Sequence, residues 1–209
     1  MALISAENDP LFVNFTQRAR AALSLDVPYV DRPPSGELTA RAAVMLVFAL
    51  QSGEPHLLVT RRAESVVNHT GQMAFPGGKC EPEEMSGHHF LETAFRETEE
   101  EVGIARADLE VLGQLPPVGV ITGFLIEPYV ALHRKSMSAI HLVVSAGEIS
   151  ETLWVPWKVL SDPNTYRREA IFRGVTEFQT HVFYYQGHRI WGVTAAMIKN
   201  FLDRWEKVR

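Results

Sequence analysis

Cysteine is all but missing from this chain of 209 residues: Cys80 stands alone, so no disulfide framework holds the fold. A chain of this length buries roughly 70 % of its unfolded surface and needs neither disulfide nor structural metal to fold. The lone thiol fits a reducing compartment and has no evident base partner that would make it a nucleophile. Long apolar runs are lacking too. The most apolar stretch, residues 42–50, is about half the length a bilayer span requires. No basic-then-apolar leader opens the sequence, and Lys207-Val208-Arg209 carries no address signal. The expectation is a soluble, cytoplasmic protein without membrane contact. Basic charge is in deficit, with a net −5 that speaks against a nucleic-acid partner held on a basic surface. The same deficit leaves room for a small phosphorylated ligand, because a bound cation reverses the local sign.

What is present is a mixture of helical and strand patterns without internal repeats. Leu11, Phe12, Phe15, Ala19, Ala22 and Leu23 make one face of a leading helix over residues 11–24. Pro28, Pro33, Pro34 and Gly36 then break the pattern. The expected division is a helix and Pro-rich connector over 1–36 and a main domain over 37–209. The leading helix either covers that domain or pairs two subunits as a homodimer. Strands are predicted at 44–50 and 56–60, then a loop centred on Phe75-Pro76-Gly77-Gly78, then a helix over 87–102 closed by Gly103. Further strands are predicted at 109–115, 123–132, 152–155 and 180–185. A final helix over 192–205 carries Val193, Ala196, Met197, Phe201 and Trp205 on one side. Without regular βαβ alternation, this order favours an α/β fold with a mixed sheet between helices over a doubly wound parallel sheet. Trp154, Trp157, Trp191 and Trp205 read as packing residues.

The chemistry sits in Arg96-Glu97-Thr98-Glu99-Glu100-Glu101-Val102-Gly103-Ile104. At about 100° per residue, Glu97, Glu100 and Glu101 fall within an arc of roughly 100°. Leu91, Phe95, Thr98 and Val102 fall on another. Like charges held this close repel and raise carboxylate pKa values. A divalent cation removes that penalty, and all-oxygen ligands suit Mg²⁺ or Mn²⁺. An isolated acidic helix is more often a solvated face. Here the preceding Pro-Gly-Gly loop, whose glycines let backbone approach an ion or phosphate, tips the balance. His88 and His89 are adjacent and point about 100° apart on a helix, a poor metal pair. His69 is a solvated loop residue or a phosphate contact.

Gly78, Glu84 and the run from Arg96 to Ile104 together resemble the Nudix box, G-x5-E-x7-R-E-U-x-E-E-x-G-U. The second half matches, with Thr98 at an aliphatic position. The first half departs, since eleven residues rather than seven separate Glu84 from Arg96. An added helical turn or a longer loop would absorb the extra four. In the family that glutamate pairs with the arginine and braces the loop; here Glu84, Glu81, Glu83 and Glu92 are the candidates. The resemblance implies a Nudix-type α/β/α sandwich, with Mg²⁺ (or Mn²⁺) held by Glu97, Glu100 and Glu101 and the Gly77 carbonyl as a further ligand. It implies in-line attack of water on a diphosphate, with Arg96 in the catalytic set and Glu97 or the distant Glu148 as base.

The flanks bear on the substrate. Residues 57–63 (Leu-Leu-Val-Thr-Arg-Arg-Ala) and 71–78 resemble the coenzyme A pyrophosphatase branch, as do Leu115-Pro116-Pro117, Thr122-Gly123-Phe124 and residues 190–197. This implies cleavage of coenzyme A or acyl-CoA to 3′,5′-ADP and (acyl-)4′-phosphopantetheine, with Arg61, Arg62, Lys79 and Gly78 at the substrate. The branch expects an arginine where this chain has Val67, which keeps another nucleoside diphosphate derivative such as ADP-ribose open as substrate. A ligand-binding module without catalysis is the third reading, set against the retention of all three glutamates.

Overall fold

The computed structural model describes residues 10–25, 40–63, 71–86, 89–120 and 123–208. Pro28, Pro33, Pro34, Gly36, Val67, His69, His88 and Thr122 lie outside them. Eight strands form one sheet: β1 (Ala40–Gln51), β2 (Glu54–Arg62), β3 (Met73–Ala74), β4 (Gly77–Lys79), β5 (Leu109–Gln114), β6 (Val118–Gly119), β7 (Phe124–His133) and β8 (Ile149–Pro156). The main order is β3-β2-β1-β7-β5, with β4 beside β1, β6 beside β7 and β8 beside β2. Only the β1–β7 pairing is parallel among those described, so the sheet is mixed, as the element order predicts. A second, antiparallel sheet contains β9 (Tyr166–Arg173), β10 (Thr176–Tyr185) and β11 (His188–Trp191).

Alternation along β1 builds two cores. Leu46, Phe48 and Leu50 face one, while Ala43, Met45 and Val47 face the other. The first is closed by α1 (Pro10–Ser24), by α4 (Trp157–Leu160) and by α5 (Gly192–Lys207). Phe15, Phe48, Trp157, Phe201 and Trp205 meet there with ring centroids 5.1–6.0 Å apart. Trp157 and Trp205 are thus packing residues, and α1 covers the domain through buried Phe12, Phe15, Ala19 and Ala22. Leu11, assigned to that face from sequence, is half exposed. The second core holds the apolar side of α3 (Phe90–Val102) against the sheet. Cys80 is buried in this second core, and burial pushes its thiol up, which suits packing rather than attack.

The predicted 87–102 helix is corrected by the structure. It starts at Phe90, and a separate turn, α2 (Pro82–Ser86), precedes it. Pro82 stands at the first helical position, and Glu84 reaches back to accept the Glu81 N–H at 2.7 Å. These are the sequence marks of a helix start, half of a capping box with proline just inside it. Part of the longer box thus stands in an added helical turn.

Candidate active site

Two glycines in a strand bring backbone against the acidic helix. The predicted Pro-Gly-Gly loop is partly strand: β4 pairs Gly77 with Val44 and Gly78 with Ala43. A Cβ on Gly77 (φ +155°) would meet the Val44 Cα at 2.6 Å. A Cβ on Gly78 would meet the Glu97 carboxylate, with Oε2 at 2.6 Å. Both positions therefore exclude a side chain, for different reasons. Gly77→Ala is expected to disturb the β1–β4 pairing and lower stability, since backbone cannot step aside. Gly78→Ala should fold, because a carboxylate at the end of a flexible side chain can move. Its melting temperature should stay within a few degrees while diphosphate turnover drops at least about tenfold, which thermal melts and initial rates would separate.

The three glutamates are unequally placed. Glu100 is exposed, Glu97 is half-buried and Glu101 is only 3 % exposed. The expectation that the acidic and apolar faces stand apart needs correcting at Glu101, which shares the sheet-facing side with Ala94 and Thr98. Thr98 fills the aliphatic position of the box without strain: it is buried, and its hydroxyl donates to the Ala94 carbonyl at 2.6 Å. Glu101 Oε2 accepts the Gly77 N–H at 3.1 Å. Burial pushes the Glu101 carboxyl up to about 7; the Gly77 hydrogen bond lowers it, Glu97 and Glu148 raise it, and Arg62 lowers it. Glu97 is also raised, by burial first, against the pull of Arg96 and with reinforcement from Glu100 and Glu148.

Arg96 ties the helix to the loop before it. Its Nε lies 3.2 Å from Glu84 Oε1, and its Nη1 reaches Glu97 Oε1 at 2.9 Å and Glu100 Oε2 at 3.1 Å. Nη2 donates to the Lys79 carbonyl at 3.4 Å. Among the four candidate bracing glutamates, Glu84 makes this contact despite the longer spacing. Burial raises its carboxyl, but bonds from Arg96, the Glu81 N–H and Thr93 outweigh that and hold it below its ordinary value. Thr93, whose hydroxyl donates to Glu84 at 2.8 Å, was not singled out from sequence. Its position three residues before Arg96, on the same side of a helix, was the available signal. Glu92 instead pairs with Arg106.

The remaining site residues come from β2 and β8. Arg62 lies close enough to Glu101 to lower its pKa, and its Nε is buried without a hydrogen-bond partner among the described residues. Arg61 turns the other way, with Nη1 3.7 Å from Glu151, which also meets His188 Nε2 at 3.4 Å. A register shift in the β2–β8 pairing falls between these two arginines. The structure thus brings Arg62, Glu97 and Glu101 together, sets the exposed Glu100 and Glu148 at the rim, where both act on Glu97, and pairs Arg61 with Glu151 instead. Lys79 is exposed at the end of β4.

The donor set fits a hard divalent cation. Buried Glu101 and half-buried Glu97 repel each other, and among the described residues the Glu101 side chain bonds no cationic group. Also among those residues, no three acidic, histidine or cysteine side chains form a ready-made cage. Mg²⁺ does not require one, since it is typically held by one or two carboxylates plus waters and substrate phosphates.

A mixed sheet between helical layers, with clustered carboxylates on the helix after a Gly-Gly strand, defines a recognisable class of fold. The NUDIX domain model matches residues 39–173, and the chain belongs to the Nudix hydrolase family. It is 34 % identical over 168 residues to a protein of Photorhabdus laumondii named as an uncharacterized Nudix hydrolase NudL, covering 79 % of this chain and 87 % of that one. A protein of the same name from Yersinia enterocolitica is 34 % identical over 177 residues, or 84 % and 88 % of the two chains. The crystal structure of a MutT protein from Methanosarcina mazei shares the fold, with a TM-score of 0.52, 20 % identity and coverage of 83 % of this chain and 99 % of that one.

Proposed function

We propose that this Nudix hydrolase cleaves the diphosphate of coenzyme A or an acyl-CoA, releasing 3′,5′-ADP and (acyl-)4′-phosphopantetheine. Glu97, Glu100 and Glu101 would hold Mg²⁺ or Mn²⁺, with Gly77 offering its carbonyl. The bound cation supplies charge neutralisation for the diphosphate and its leaving group. Arg96 fixes the direction of Glu97 and Glu100. Arg62 faces the same space and offers a planar donor group suited to phosphate oxygens. Glu148, set against Glu97 and Glu101, is the candidate acceptor for the proton of the attacking water.

One observation carries the substrate assignment: three coenzyme A-like segments, far apart in sequence, meet at β3, just before the glycine strand. Met73 pairs with Arg61 across β2 and β3, and the Met73 carbonyl accepts the buried Thr194 hydroxyl at 3.0 Å. Residues 57–63, 71–78 and 190–197 therefore meet at Met73, in the stretch that leads into Gly77 and Gly78. Val67 is the observation that favours the second reading, a nucleoside diphosphate lacking the 3′-phosphate. Product identification after incubation with coenzyme A or ADP-ribose and Mg²⁺ decides between them. Release of 3′,5′-ADP at a kcat/KM above that for ADP-ribose is expected. Preferred turnover of ADP-ribose would overturn the coenzyme A assignment.

A further inference from the structure

The segment that delivers Glu148 to the site is docked onto the end of α3 by backbone hydrogen bonds, with Leu142 packed against the core beneath it. A helix leaves its last carbonyls unpaired, and here two of them are taken up by a distant stretch of chain. The Glu101 carbonyl accepts the Ser145 N–H at 3.0 Å, and the Val102 carbonyl accepts the Val143 N–H at 3.1 Å. From Ser145 the chain turns at once into β8, with its carbonyl accepting the N–H groups of Glu148 (3.0 Å) and Ile149 (2.9 Å). The Glu148 carbonyl then accepts the Ala63 N–H at 2.7 Å, next to Arg62. Glu148 is thus pinned between the C-terminus of the acidic helix and the end of β2.

Gly103 sits at the centre of this arrangement. It ends α3 in a left-handed conformation (φ +73°), its N–H donating to the Glu99 carbonyl at 3.0 Å. That accounts for the helix stop. It does not account for a second fact: a Cβ at residue 103 would meet the Val143 Cβ at 2.8 Å, its nitrogen at 3.0 Å and its carbonyl oxygen at 3.1 Å. Asparagine also tolerates the left-handed conformation and would serve as a stop. Only glycine lets residues 141–148 lie against the helix end.

We infer that Gly103 is a positioning residue for the reaction: its missing side chain lets residues 141–148 dock on the exposed carbonyls of α3, and this docking sets where Glu148 stands relative to Glu97 and Glu101. The same residue, Glu101, then serves the site with its side chain and anchors the Glu148 segment with its carbonyl. The inference rests on Glu148 being the proton acceptor proposed above.

Two variants and two readouts test it. Gly103→Asn keeps the stop but adds the Cβ; Ser145→Pro removes one docking N–H without touching the helix. In the metal-free protein, both should speed amide exchange over 141–148 at least about tenfold while α3 itself stays protected. In turnover, Glu148→Gln should lower kcat roughly a hundredfold, either docking variant should lower it too, and adding Glu148→Gln to them should bring little beyond its own effect. Unchanged exchange in both variants overturns the docking. Faster exchange with fully additive losses overturns its link to Glu148. If wild-type protein hydrolysed no diphosphate, the hydrolase reading would fail on its own, and the exchange result would still measure the docking.

Discussion

Glu101→Gln is expected to lower turnover roughly a thousandfold and, without metal at pH 8, to make the protein harder to unfold. The first effect follows from removing a charged ligand at a centre where charge stabilisation is worth several kcal/mol. The second follows from burial. A carboxyl that titrates at about 7 in the folded chain, against an ordinary value of 4.5, binds its proton more tightly folded than unfolded. Stability therefore falls as pH rises from the unfolded value through the folded one, and the full penalty is present above about 7. It amounts to about 3 kcal/mol at most, and a neutral amide does not incur it. Melting curves of the metal-free proteins should diverge by several degrees at pH 8 and converge near pH 4.5, the ordinary value. Added Mg²⁺ should raise the wild-type melting temperature and leave the variant nearly unmoved. A wild-type protein more stable than Glu101→Gln at pH 8 without metal would refute this account of the site.

The second large effect belongs to Arg96→Met. This guanidinium bonds Glu84, Glu97, Glu100 and the Lys79 carbonyl, so its loss leaves several acceptors without their donor. Removing one partner of a buried pair typically costs about 3–5 kcal/mol. With 28 % of the Arg96 side chain exposed, solvent screens part of that; roughly 2 kcal/mol is expected, or about 4–8 °C in melting temperature. Turnover should fall by at least two orders of magnitude, roughly, because Glu97 loses the contact that directs it. Arg96→Lys should recover part of the stability and little of the activity, since an ammonium cannot reach acceptors on two sides as the planar fork does. Equal recovery of both would show that charge alone, and not the fork, is what the site uses.

Much of this was legible in the sequence because the strongest signals are local. The periodicity of residues 11–24 and 192–205 found both outer helices, and short strand-like runs between turn residues found β1, β2, β5, β7, β8 and part of β10. β9 escaped because Arg167, Arg168 and Glu169 run together and mask a period of two. β11, at four residues, is too short to show one. The site was legible as a set of residue types but not as a geometry. Spacing alone left Glu84 in doubt, since the sequence did not show that the extra turn folds back and returns the carboxylate to Arg96. Helical angles placed Glu101 with its charged neighbours, whereas the approach of β4 buries it. Alternation along β2 separates Arg61 from Arg62, but which of the two faces Glu101 follows from how β2 is paired in the sheet.

The two faces of the main sheet answer to different constraints. The carboxylates, the glycine strand and the Glu148 segment all lie within residues 39–173, the part described by the family model. The opposite face is roofed by α1, α4 and α5, of which α1 and α5 lie outside that range and clasp each other through the Arg18 guanidinium on Trp205. Drift in that roof is held in check by volume and apolarity, and drift in the chemical face by charge and backbone clearance. Refilling the roof at constant volume should therefore change stability before it changes chemistry, except at Thr194, whose hydroxyl reaches through to the Met73 carbonyl.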